Sequence, residues 1–117
     1  MYNTAAYTGT RKVNHYIFNE LINAKPEQLI LKVYDFAITK CMKHDLVKTN
    51  DALQVLINAL NFEDENAKEI STGLMRLYLY CQAQMRKRQY DNVYRILTEL
   101  RATWIDALKN KDIKNGV

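Results

Sequence analysis

The chain has few residues that break or staple a fold. Its 117 residues include one proline, three glycines and two cysteines. So few turn formers exclude a turn-rich β protein. Cys41 and Cys81 fall on apolar helical faces, which predicts buried thiols and no disulfide. No apolar run approaches the ~20 residues of a membrane span. Met1 to Lys12 contains no hydrophobic stretch of the signal-peptide kind. A cytosolic protein without membrane insertion is the expectation.

Catalytic residue patterns are as scarce. The only histidines are His15 and His44. Cys41 and His44 stand one helical turn apart, but a zinc site needs three or four ligands, and no second pair has useful spacing. The Glu-x-x-His pair of di-iron bundles is missing, and so is a glycine-rich phosphate loop. The acids Glu63, Asp64 and Glu65 read as a solvated turn. Neither a metal nor a cofactor is expected, and the chain does not read as an enzyme. Net charge is +4, with bases in every segment, which serves solubility and points to no nucleic-acid partner. The densest run, Arg86-Lys87-Arg88, closes a predicted helix, where cations complement the helix dipole.

What is present is helical periodicity. Apolar residues make up 48% of the chain, enough for one domain with its own core. Residues 1–12 read as an irregular arm. Val13, Tyr16, Ile17, Leu21 and Ala24 recur at helical spacing, which predicts a short helix or flap over 13–25. Pro26 followed by Glu27 is a helix start. Ile30, Val33, Tyr34, Ala37, Ile38 and Cys41 then form a stripe, widened by Leu29 and Phe36 and running to about His44. Asp45 is the expected cap of a second helix, with Leu53, Leu56, Ile57 and Leu60 on one face. Asn66 with Glu69 resembles a capping box for a third, with Ile70, Leu74, Leu77, Tyr78, Cys81 and Met85 as its stripe. Gly73 inside that helix suggests a close helix approach. Asp91 is the expected cap of the fourth, whose stripe is Val93, Ile96, Leu97, Leu100, Trp104 and Leu108. Residues 109–117 are polar and expected to fray. Short connections make neighbours antiparallel. The reading is an all-α, antiparallel, up-down four-helix bundle over 26–108, with an extra short N-terminal helical segment.

Eight tyrosines stand beside three phenylalanines and one tryptophan. Tyrosine suits core edges and binding surfaces alike, because an apolar ring ends in a polar tip. Tyr78 and Tyr80 lie about 200° apart around one helix, so both cannot face one core.

Three motifs recur in a fixed order: Val33-Tyr34-Asp35 after the Pro26 start, Leu77-Tyr78-Leu79-Tyr80, and Leu100-Arg101-Ala102-Thr103-Trp104. Tyr16 stands ten residues before Pro26. In this order and spacing the chain resembles the FliS family of flagellar export chaperones, over residues 16 to 108. The resemblance implies a cytosolic, ATP-independent chaperone. It would bind the disordered C-terminal segment of flagellin, prevent premature polymerisation and deliver the client to the export gate of the flagellar type III apparatus. It also implies an N-terminal region that moves aside for the client. A monomer or weak homodimer is expected. Candidate partner-binding residues are Tyr16, Ile17, Leu29, Tyr34, Phe36, Tyr78, Tyr80 and Trp104. Where the family pattern has an apolar residue and a glycine, this chain has Lys32 and Phe36. These two positions keep open a helical-bundle adaptor or secretion chaperone for a different client.

Overall fold

Two aspartates and two left-handed residues set the helix ends. The structure, a computed structural model, describes residues 26–116, with side chains from 27 to 110. It contains α1 (Pro26–Met42), α2 (Leu46–Asn58), α3 (Glu65–Arg86) and α4 (Tyr90–Gly116). Asp45 caps α2 as expected, its carboxylate accepting from the Lys48 amide at 3.0 Å. The cap of α3 is Asp64, not Asn66: the Asp64 carboxylate accepts from the Asn66 amide at 2.9 Å. Asn61 prepares that cap, its side-chain oxygen accepting from the amides of Glu63 and Asp64. α4 begins at Tyr90, with Asp91 inside its first turn, and continues to Gly116, well past the predicted end at Leu108. The predicted arm and flap over 1–25 lie outside the described residues.

The turns after α1 and α3 share one construction. His44 donates its amide to the Cys41 carbonyl, and Asp45 donates to Lys40. Arg88 and Gln89 repeat the pattern onto Met85 and Gln84. These are Schellman closures, which place the residue after the helix in the left-handed region, where glycine is favoured. Here that residue is His44 (φ 59) and Arg88 (φ 61).

Each helix packs against its two neighbours in the order α1, α2, α3, α4 and back to α1. Successive helices alternate in direction, so the described residues form an antiparallel four-helix bundle. The core is Val33, Tyr34, Ala37 and Cys41 from α1, Ala52, Leu53 and Leu56 from α2, Tyr78, Cys81 and Met85 from α3, and Val93 and Leu97 from α4. The diagonal helices meet through side chains alone: Tyr34 reaches Tyr78, and Cys41 reaches Met85 at 3.8 Å. Both cysteines are buried and free.

Gly73 marks no close approach among the described helices. It is exposed, and a Cβ added there meets no described atom within 4 Å. Gly73→Ala is therefore expected to stabilise the bundle by about 1 kcal/mol through helix propensity alone. Thermal unfolding checks this: the midpoint should rise by a few degrees, and a fall would mean that something covers the position.

Candidate functional site

The three motifs of the sequence come from three helices, and the bundle joins them. Tyr34 and Asp35 lie on α1, Tyr78 on α3, and Arg101 and Trp104 on α4. The Tyr34 and Tyr78 hydroxyls are 2.6 Å apart, with ring centroids at 6.5 Å and planes at 58°. The Trp104 indole N–H donates to the Tyr34 hydroxyl at 3.1 Å. One turn earlier on α4, the Arg101 guanidinium pairs with the Asp35 carboxylate. That ion pair is partly exposed and adds little stability. It bridges α1 and α4 one turn away from the level at which Trp104 meets Tyr34.

Counting hydrogens identifies the polar end of this cluster. Trp104, Tyr34 and Tyr78 carry three donor hydrogens, and the two bonds use two of them. Since Trp104 donates into Tyr34, the cooperative order has Tyr34 donating onward to Tyr78. The remaining hydrogen is then on Tyr78. Burial, and the Tyr78 phenol beside it, hold the Tyr34 hydroxyl far above the usual phenol range. Burial raises Tyr78 as well. Both stay neutral, donors as well as acceptors, at any physiological pH.

Above the cluster lies a groove of about 300 Å³. Ile30, Leu56, Leu60, Ile70 and Leu74 line it, and Tyr78 and Trp104 complete the wall. It sits toward the end of the bundle that holds the connection from α2 to α3 and the start of α1. Ser71, also lining it, ties that connection down by donating to the Asn61 carbonyl at 2.7 Å. Ile70 on the rim is 67% exposed. The groove is apolar apart from Ser71 and Asn61. It suits a few aliphatic or aromatic side chains of an amphipathic segment.

The structure sorts the sequence candidates. Tyr34, Tyr78 and Trp104 come together. Tyr34 is fully buried, so an occupant of the groove touches it only through Tyr78 or Trp104. Leu29, Phe36 and Tyr80 do not line the groove. Phe36 is half-buried under the Lys40 ammonium, 5.4 Å from the ring centroid. Tyr80 is exposed and accepts from the Asn92 side chain at 3.0 Å. Tyr16 and Ile17 lie outside the described residues. Sequence reasoning missed Leu56, Leu60 and Ile70 as groove residues. Leu56 and Leu60 sit on a stripe that reads as plain packing, and only the position of the stripe's end near the α2–α3 connection distinguishes them.

Burial, with Cys41 nearby, pushes the Cys81 thiol up to about 12. Burial and then Asp91 raise Cys41. Neither is a nucleophile at neutral pH, because reactivity needs the thiolate. Among the described residues no three His, Cys, Asp or Glu side chains are placed to hold a metal ion, and no helix is long and apolar enough to cross a membrane. No family model, no curated protein and no solved structure matches the chain.

Proposed function

We propose that this bundle is an export chaperone of the kind its sequence resembles, seating an amphipathic client segment in the groove that residues of all four helices line. The client implied by the resemblance is the disordered C-terminal segment of flagellin, which would fold on binding and be held until delivery to the export gate. One observation carries the reading. The motifs behind the resemblance, scattered over three helices, meet in one hydrogen-bonded cluster that forms the wall of an apolar groove. A chaperone of this sort needs no nucleotide, since binding energy comes from burying the client's apolar face.

The test is a titration with a flagellin C-terminal peptide, followed by calorimetry, far-UV circular dichroism and the emission of Trp104, the only tryptophan. A one-to-one endpoint with gain of helix and a shifted emission is expected. Ile70→Glu should weaken binding at least about tenfold, while leaving stability within about 0.5 kcal/mol because the site is exposed. No complex at concentrations on the order of tens of micromolar would overturn the flagellin reading. A pull-down with other export substrates then separates the adaptor for a different client.

A further inference from the structure

Antiparallel packing puts the turn between α1 and α2 and the turn between α3 and α4 at the same end of the bundle, opposite the groove. Bases that look scattered in sequence gather there. Lys43, Arg86, Lys87 and Arg88 are all exposed, and none forms an ion pair with a described residue. The opposite end carries Glu63, Asp64 and Glu65. Apolar side chains stand out among the bases: Met42 is 64% exposed, Val47 49% and Tyr94 41%. Between α1 and α4 a depression of about 250 Å³ opens, lined by Met42, His44, Tyr90 and Tyr94. The His44 and Tyr90 rings stack at 4.1 Å and 14°.

The backbone points to the same place. His44 and Arg88 hold left-handed conformations that glycine would adopt with less strain. Both turns keep a side chain at that cost, and both side chains belong to this surface. One of them, His44, is held there by its stack on Tyr90, and backbone strain kept at a surface is a pointer to function.

We propose that this end of the bundle is a second docking surface, for an acidic amphipathic helix of another protein. The helix's carboxylates meet Lys43 and the Arg86–Arg88 run, and one of its apolar side chains enters the depression beside the His44–Tyr90 stack. Charge complementarity selects the acidic face, and the interleaved Met42, Val47 and Tyr94 select an apolar one. Nucleic acid fits less well: the His44 and Tyr90 rings already cover each other and offer no open face for a base to stack on. The inference stands apart from the groove and does not rest on the flagellin reading.

The test uses the full chain, isotope-labelled, titrated with a synthetic helical peptide bearing glutamates on one face and leucines on the other. A peptide of the same pattern with lysines and a short single-stranded DNA serve as comparisons. Amide shifts at Met42–Val47 and Arg86–Tyr94, with affinity that falls as salt rises, are the expected result. His44→Gly/Arg88→Gly should bind about tenfold more weakly while melting no lower than the parent. A merely structural role would not give that combination. Lys43→Ser/Lys87→Ser, which leaves both left-handed residues in place, should weaken binding as well. The proposal fails if the acidic peptide shifts only groove residues or binds no better than the lysine peptide. It also fails if DNA binds more tightly, or if the surface proves to be covered by a second copy of the chain in solution.

Discussion

Replacing Tyr34 with alanine is expected to cost about 3–5 kcal/mol, the range for deleting a buried aromatic ring, and to lower the melting midpoint by roughly 15 °C. Tyr34 is fully buried at the centre of the bundle, and it links α1 to both α3 and α4. Tyr34→Phe isolates the polar part of that effect. The ring remains, but the Trp104 N–H and the Tyr78 hydroxyl lose their shared partner, which costs about 1–3 kcal/mol. Tyr34→Phe and Tyr78→Phe together should cost less than the sum of the two, because the second change removes a group the first had already orphaned. A Tyr34→Phe variant as stable as its parent would show that water replaces the lost bonds, and that the cluster is not closed.

The second large effect is alkaline unfolding. Tyr34, Tyr78, Cys41 and Cys81 all hold their protons longer in the folded chain than in the unfolded one. A raised folded value means that stability is whole below the unfolded value and is lost as pH climbs toward the folded one. For the thiols the loss begins near their ordinary 9.0 and for Cys81 runs to about 12. For the phenols it begins near their ordinary 10.0. Each group removes about 1.4 kcal/mol per pH unit across its window. Urea midpoints should therefore be flat through neutral pH and fall steeply from about pH 9 upward, with the steepest part once the phenols join. Cys81→Ala should soften the first part of that fall. A midpoint unchanged at about pH 11 would mean that these four groups are far more open to water than the packing suggests.

The sequence carried the helices well, because stripes of apolar residues at steps of three and four survive any detail of packing. It placed Asp45 correctly as a cap and misplaced the next one. Asp64 and Asn66 can both serve, and the choice fell to Asn61, which folds the preceding turn around Asp64. Gly73 was ambiguous in principle: a missing side chain looks the same whether a neighbour or open space takes its place. The end of α4 was set too early, since polar composition after Leu108 weakens the stripe without breaking the helix. The cluster at the site was half legible. Tyr34, Tyr78 and Trp104 each stood out, but only the packing register of three helices decides that they share hydrogens. The basic end was illegible, because Lys43 and Lys87 are far apart in sequence and come to the same end of the bundle only through the antiparallel turns.

Among the described side chains that distribution is polar along the bundle axis, cationic where the two turns close and anionic at the Glu63–Glu65 connection. A body of this kind experiences a torque in the field of any charged assembly and rotates before it arrives. An acidic platform would meet the turn end first, leaving the groove and whatever it holds pointing away into solution. The search for a productive encounter then reduces largely to spin about one axis. Under the two proposals made above, a segment held in the groove would stay clear of whatever the turn end meets.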